Sequence, residues 1–220
     1  MFSTQTGIAT GAYTGGSPIV DGNRIYNNST VGIAARGGAM VRNNLVYSNA
    51  IGITGDGGFH GQIASNLIYA NANQGILFTV TSGARILGNT IYHTVGDTIR
   101  IQGSPNTILR NNILYVQSGS DLFVAADSLA GFSSEYNVLY HAAGITGSWG
   151  GVSQTSLLNW QTASAQDAHS IAADPLFIDV DGSDNVLGYS TAGSGYDGGR
   201  DDNFYLSKNS PAIDSGDSWS

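Results

Sequence analysis

Residues 44–47 read NLVY, and the pattern Asn-x-(Ile/Leu/Val)-Tyr occurs six times in this chain of 220 residues. The other copies are NRIY at 23, NLIY at 66, NTIY at 89, NILY at 112 and NVLY at 137. Successive copies are separated by 21, 22, 23, 23 and 25 residues. Such a period is typical of a solenoid, in which each unit buries its apolar face against its neighbours.

Short β-branched runs surround each copy, and a second short strand such as GILFTV (75–80) follows it. A period of about 23 residues is too short for the two helices of a helical repeat. Two apolar columns keep a fixed distance from the Asn: Val20, Val41, Ile63, Ile86 and Leu109 before it, and Ile25, Val46, Ile68, Ile91, Leu114 and Leu139 after it. The pattern predicts an all-β fold, a parallel β-helix of about six coils with two or three short strands per coil.

The repeated asparagines are predicted to form a structural ladder at the bend between strands. Equivalent residues of successive coils stack about 4.8 Å apart, so each amide can bond to its counterpart one coil away. Asn also tolerates the left-handed conformation of a sharp bend. The tyrosines are predicted to stack ring on ring, inside the coils or along an edge. We interpret both columns as architecture, with ligand binding as the alternative. The ladder residues are Asn23, Asn44, Asn66, Asn89, Asn112 and Asn137.

The repeat begins before its first Asn. Gly7-Ile8 matches Gly32-Ile33, Gly52-Ile53 and Gly75-Ile76, which open the second strand of successive coils. We therefore expect the coils of residues 1–145 to start in mid-coil. An uncapped solenoid end exposes core and unpaired backbone. We interpret the chain as a segment of a longer protein with further coils or domains; the alternative is that another subunit covers the end.

The composition changes after residue 145, and residues 146–220 are predicted to form irregular C-terminal coils and a cap. LLNWQTA (157–163) has helical spacing and follows Thr-Ser, which supplies an N-cap. We expect this short helix to lie across the last coil and to cover its apolar end.

Two later segments carry a family resemblance. DPLFID (174–179) and DDNFYLSKNSPAIDSGD (201–217) resemble the closing signature of right-handed parallel β-helix repeat proteins of the pectate-lyase-like superfamily, and SSEYNVLYHAAG (133–144) fits the same pattern. The resemblance implies a right-handed helix whose last irregular coils are formed by these segments. Many such proteins are modules of large bacterial surface or secreted proteins. Lyases, epimerases, glycosidases, tailspikes and non-catalytic modules share this architecture, so it does not by itself give a function.

Charge and composition exclude several classes of function. The net charge is −8 with a single Lys, which argues against nucleic acid and anionic lipid as partners. The chain has no Cys, so disulfides and thiol catalysis are excluded. It has no apolar run near 18 residues, so no membrane span is expected. The first ten residues do not resemble a signal peptide. We expect an extracellular or cell-surface location from the resemblance.

Enzymes of this fold typically act on acidic polysaccharides, and a lyase needs an Arg or Lys base with a cation to stabilise developing charge. Asp97 and Asp121 precede the second strand in neighbouring coils, and Arg100 is close by. These three residues are the best catalytic candidates. The alternative is a set of solvated turn charges with an Asp–Arg surface pair.

DVDGSDN (179–185) places Asp179, Asp181 and Asp184 around a Gly, a spacing that resembles loops that bind Ca²⁺. Acidic residues of the 197–202 stretch could add oxygens if the two loops meet. The alternative is an Asx-turn loop that needs no ion. No cofactor other than Ca²⁺ is expected.

Three functions remain. The sequence favours a non-catalytic β-helix module of a larger extracellular bacterial protein, structural or glycan-contacting, with a polysaccharide as a partner. The alternative is a Ca²⁺-dependent lyase or epimerase acting on a uronate-containing polysaccharide. A third hypothesis is glycan binding through exposed aromatic residues such as Phe59, Phe78 and Trp149.

Overall fold

Successive copies of the Asn-x-x-Tyr motif lie on successive coils of a parallel β-helix in the computed structural model, which describes residues 4–11 and 16–217. Parts of both predicted domains (1–3, 12–15 and 218–220) lie outside this description, and the division at residue 145 stays a prediction. The strands are β1 (Thr6–Ala9), β2 (Ile19–Asp21), β3 (Arg24–Tyr26), β4 (Val31–Ala35), β5 (Met40–Arg42), β6 (Leu45–Tyr47), β7 (Ile51–Gly55), β8 (Gln62–Ala64), β9 (Leu67–Tyr69), β10 (Gln74–Thr79), β11 (Arg85–Leu87), β12 (Thr90–Gln102), β13 (Ile108–Arg110), β14 (Ile113–Val124), β15 (Ser133–Glu135), β16 (Val138–His141), β17 (Ile145–Trp149), β18 (Val152–Gln154), β19 (Phe177–Asp179), β20 (Tyr189–Ser190), β21 (Tyr196–Asp197) and β22 (Asn203–Leu206). The helices are α1 (Leu157–Ser164) and two 3₁₀ turns, Ala126–Ser128 and Gly198–Arg200.

Each coil contributes strands to two parallel sheets. One sheet has six strands in the order β2-β5-β8-β11-β13-β15, which confirms the predicted number of coils. The other follows β1-β4-β7-β10-β12-β14-β17 and is joined by the tyrosine strands β3, β6, β9 and β16. In the fourth and fifth coils the tyrosine strand and the following strand fuse into the long strands β12 and β14. The predicted register is confirmed, since Tyr47 aligns with Tyr26 and Tyr69.

Both predicted aliphatic columns are buried and belong to one continuous core. The isoleucines that follow the glycines join them; Ile33, Ile53 and Ile76 are fully buried. Burial of each such side chain stabilises the fold by roughly 1.5–3 kcal/mol relative to exposure. The core therefore runs along the helix axis, with every coil packing against the next.

The glycines before these isoleucines are required by close backbone approach. A Cβ at Gly52 would lie 2.5 Å from the carbonyl oxygen of Gly75 and 2.8 Å from Cγ2 of Ile68. Real Cβ atoms do not approach other atoms so closely. The Gly-Ile repeat therefore marks the places where coils are too close for any side chain.

The asparagine ladder is confirmed. Asn44 Oδ1 accepts hydrogen bonds from the backbone N and Nδ2 of Asn23, at 2.9 and 3.0 Å. Its Nδ2 donates to Asn66 Oδ1 at 2.9 Å and to the carbonyl of Val20. The same pattern continues through Asn89 and Asn112 to Asn137. The ladder thus satisfies backbone groups that no strand pairs.

The left-handed conformation lies one residue earlier than the sequence suggested. The residue with positive φ at each bend is the one before the ladder Asn, as in Asn43 (55°), Ser65 (54°) and Tyr136 (57°). The ladder asparagines keep ordinary backbone angles because their task is to hydrogen-bond, and the preceding residue makes the turn.

A second ladder, formed by Asn28, Asn49 and Asn71, was missed in the sequence. Asn28 Nδ2 donates to Asn49 Oδ1 at 2.8 Å, and Asn49 Nδ2 donates to Asn71 Oδ1 at 3.0 Å. All three are buried. They follow the first ladder by five residues, which is the signal that could have revealed them. Past Asn71 the fused strand β12 replaces the bend, and His93 takes the next place in the column.

The tyrosines of the motif point away from the core and stack under the C-terminal segment. Tyr26 and Tyr47 have ring centroids 4.9 Å apart at 4°, and Tyr92 and Tyr115 are 4.6 Å apart at 10°. Phe204 contacts both Tyr69 and Tyr92, at 4.7 and 5.5 Å. Residues 177–206 therefore lie along the side of the coils, where two small antiparallel sheets, β19–β22 and β20–β21, cover the tyrosine column.

The predicted helix is confirmed as α1. Ser156 is its N-cap and accepts a hydrogen bond from the backbone N of Asn159, and Ala165 ends it in the left-handed conformation. Trp160 is fully buried against Trp149, with centroids 5.5 Å apart, and joins the core. The helix thus covers the last coil. Within residues 4–11 and 16–217, no helix has the length and apolarity to cross a membrane.

Candidate functional site

The structure brings two of the three predicted catalytic residues together. Arg100 Nε lies 2.7 Å from Asp97 Oδ2 in an ion pair whose side chains are 27% and 10% exposed. The guanidinium also lies over the Phe123 ring, 3.7 Å from its centroid. Asp97 and Phe123 therefore hold Arg100 in place on the outer face of β12.

Asp121 lies elsewhere. In the sheet, Asp97 aligns with Ser120, and Asp121 is the next residue along the strand. It is fully buried. Asp121 therefore does not join the Asp97–Arg100 ion pair, although Asp97 and Asp121 lie in neighbouring coils as expected.

Asp121 instead pairs with His141 of the next coil. Asp121 Oδ2 lies 2.9 Å from His141 Nδ1, and the His141 side chain is 21% exposed. Burial raises the pKa of the Asp121 carboxyl, and the hydrogen bond to Asp121 raises the pKa of His141. The pair can therefore hold or release a proton near neutral pH.

The column that contains Asp121 explains this burial. In the earlier coils the residues aligned with Asp121 are glycines, of which Gly75 is the last. In the later coils the aligned residues are Thr98, Asp121 itself and Thr146. The neighbouring column changes too: His93 faces Gly75, and His141 faces Asp121. The space that Asn28, Asn49 and Asn71 of the second ladder fill in the first coils is thus filled by the Asp121–His141 pair in the last coils.

The predicted calcium loop is held by protein donors. Asp201 Oδ2 accepts from the backbone N and Oγ of Ser183, at 2.9 and 2.6 Å, so the two acidic loops meet. Asp184 accepts from the backbone N of Val186 and from Tyr196 OH, both at 2.8 Å. Across the described residues, no group of three His, Cys, Asp or Glu side chains is placed to hold a metal ion. Calcium binding by Asp179, Asp181 and Asp184 stays a prediction.

Two of the three aromatic residues proposed for glycan contact are not on the surface. Phe59 and Phe78 are fully buried in the core and pack against each other at 5.6 Å, so that prediction is wrong for both. Trp149 is partly buried against the same core. Among the exposed aromatic rings is Tyr205, which is 78% exposed.

Tyr205 lies at the edge of a groove of about 620 Å³ between the coils and the C-terminal segment. Residues 199–205 line one wall, and Ser65, Leu67 and Thr90 line the other. The sequence did not predict this groove, because it forms between segments more than 100 residues apart.

A family model described as a right-handed beta helix region matches residues 4–159, more than two thirds of the chain. The match includes every copy of the Asn-x-x-Tyr motif and ends within α1. Searches of curated proteins and of solved structures found no significant match.

Proposed function

Because the chain belongs to the family of right-handed β-helix proteins, we propose that it is a non-catalytic, glycan-contacting module of a larger extracellular bacterial protein. Its coils act as a rigid spacer, further coils or domains of a parent chain adjoin it, and its side surface contacts a polysaccharide.

One observation carries the non-catalytic part of this proposal. The three residues best suited to lyase chemistry do not form one group: Asp97 and Arg100 pair with each other, and Asp121 is buried with His141. A lyase site needs its base and its charge-stabilising groups around one reacting carbon. This division favours a module over an enzyme.

The coil architecture supports a spacer role. Coils are joined by continuous parallel β-sheets, by two asparagine ladders and by one hydrophobic core. Each coil is fixed mainly by its neighbours, as in other solenoids, so the unit can be extended without a change in its cross-section. Such a structure holds its ends at a fixed separation and presents a long lateral surface.

The test is a glycan array followed by incubation of the protein with alginate and pectate in the presence of Ca²⁺. We expect binding to at least one glycan and no rise in absorbance from unsaturated products. A Ca²⁺-dependent unsaturated product would contradict the proposal and favour the alternative, a uronate lyase.

The absorbance assay would not detect an epimerase, because epimerisation forms no unsaturated product. The uronate polymers should therefore also be recovered after incubation in D₂O and examined by proton NMR. We expect no deuterium exchange and no change in uronate composition. If either reaction is found, Arg100→Ala should abolish it and the exposed Arg85→Ala should not; equal activity in both variants would exclude the Asp97–Arg100 pair as the site.

A further inference from the structure

We propose that the groove beside Tyr205 binds a neutral oligosaccharide, with the Tyr205 ring as the surface on which a sugar stacks. This inference rests on the proposed function and names its site and ligand class. A groove of about 620 Å³ is within the range of small-ligand sites.

Tyr205 is an unusual surface residue. It lies on β22, where Phe204 points inward to the tyrosine column and Tyr205 points outward with 78% exposure. In the antiparallel pair of β19 with β22, Phe177 aligns with Leu206 and Asp179 with Asn203, and Ile178 and Tyr205 both lie between these pairs, at a β-bulge. Ile178 is 58% exposed. Tyr205 and Ile178 are thus two exposed apolar side chains on a sheet whose inner side packs on the tyrosine column.

Polar groups line the groove together with Tyr205. Ser65 and Thr90 supply hydroxyls from the coil wall, and Asp201, Asp202 and Asn203 supply oxygens from the tail wall. A pyranose has apolar C–H faces and a rim of hydroxyls. An aromatic ring beside hydroxyl, carboxylate and amide groups matches both features, since a Tyr offers large contact area at low entropic cost.

The groove carries negative charge. Hydrogen bonds from Ser183 lower the pKa of Asp201, and burial raises the pKa of Asp202 only to about 6, so both carboxylates are mainly ionised at neutral pH. The one cation in the lining, Arg200, is paired with Asp197 at 3.4 Å. The whole chain has a net charge of −8. An anionic chain would be repelled, so a neutral glycan is the better ligand.

The experiment measures Kd by isothermal titration calorimetry for cellohexaose, xylohexaose and mannohexaose, and for hexagalacturonate and hexamannuronate. We expect at least one neutral hexasaccharide to bind and both uronates to bind at least tenfold more weakly. Tyr205→Ala should weaken binding at least tenfold, whereas Tyr205→Phe, which keeps the ring, should change it less than threefold. Tyr196→Ala is the matched control, because Tyr196 is an exposed tyrosine outside the groove lining.

Each contrary outcome separates the two proposals. Neutral binding that survives Tyr205→Ala overturns the groove assignment and leaves the glycan-contacting module intact. Uronate binding as tight as neutral binding overturns the ligand class. Absence of binding to every hexasaccharide overturns the groove proposal, while an array signal on another glycan would still support the proposed function. Catalytic turnover contradicts the non-catalytic function alone, because Tyr205→Ala still tests the groove.

Discussion

Asn66 shows how one residue links its own coil to the coils on both sides of it. Its buried side chain accepts hydrogen bonds from the backbone N and Nδ2 of Asn44 and donates to Asn89 Oδ1 and to the carbonyls of Val41 and Ala64. The Asn side chain combines an acceptor oxygen with two N–H donors, so it can bond in both directions along the column at once. The sequence predicted this role because the Asn recurs at every bend.

We expect Asn66→Ala to lower the free energy of unfolding by roughly 2–4 kcal/mol, because several buried partners lose their hydrogen bonds together. Urea denaturation followed by circular dichroism measures this. Asn73→Ala, at an exposed Asn outside both ladders, should change it by less than about 0.5 kcal/mol. Equal effects of the two substitutions would show that the ladder adds no stability.

His93 makes the fold sensitive to acid. It is fully buried, and burial lowers its pKa from 6.5 to about 4. The folded state therefore favours the neutral ring, so this contribution to stability is complete above pH 6.5 and is lost as the pH falls to 4. Asp121, whose folded pKa is raised to about 7, acts in the opposite direction: its contribution is complete below pH 3.8 and is lost as the pH rises through 7.

We expect His93→Gln to remove the acid-dependent loss, because the amide stays neutral. The stability of the wild type relative to the variant should fall by up to about 3 kcal/mol between pH 6.5 and 4. Urea titrations at several pH values measure it, and the shared Asp121 contribution cancels in the difference. The exposed His60→Gln is the control. A difference that does not vary with pH would contradict the prediction.

At the scale of elements, α1 and the C-terminal sheets close two different surfaces of the β-helix. The helix was predictable because a capping Ser, helical spacing and a buried Trp are local signals. The position of β19–β22 on the tyrosine column was not, since no period links residues 177–206 to the coils. The inward and outward faces of β22 depend on that packing, and with them the exposure of Tyr205.

The N-cap of α1 provides one test. Ser156 Oγ accepts from the backbone N of Asn159 at 3.2 Å, and we expect Ser156→Ala to lower the unfolding free energy by about 1 kcal/mol. Thermal denaturation measures the change. The exposed Ser153→Ala on β18 should leave the melting temperature unchanged, and a similar fall in both variants would argue against a capping role.

Phe204 provides a second test at the scale of elements. It contacts Tyr69, Tyr92 and Phe177, so we expect Phe204→Ala to loosen the C-terminal sheets and to cost roughly 2–3 kcal/mol. Limited proteolysis should then cut within residues 177–206 faster than in the wild type. Tyr205→Ala, its outward neighbour, should not change the cleavage rate; if it does so equally, inward packing is not what holds the segment.

At the scale of the whole molecule, the sequence revealed what repeats and missed what breaks the repeat. The coil number, the register and both aliphatic columns follow from a fixed period, because each coil pairs with the next. The pairing of Asp121 with His141 was not predicted, because the column of Asp121 changes from Gly75 to Thr98 where β12 becomes continuous. The groove depends on a contact between distant segments, which no local pattern encodes.

The tyrosine column and the Trp149–Trp160 pair give the molecule two built-in optical reporters. Rings held 4.6–5.1 Å apart along the coils couple their electronic transitions and contribute to near-ultraviolet circular dichroism. Trp149 and Trp160 lie together at the last coil, so in a Trp219→Phe variant tryptophan fluorescence reports that end alone. Loss of one signal before the other would show, without any attached label, whether the β-helix opens first along its side or at its helix-covered end.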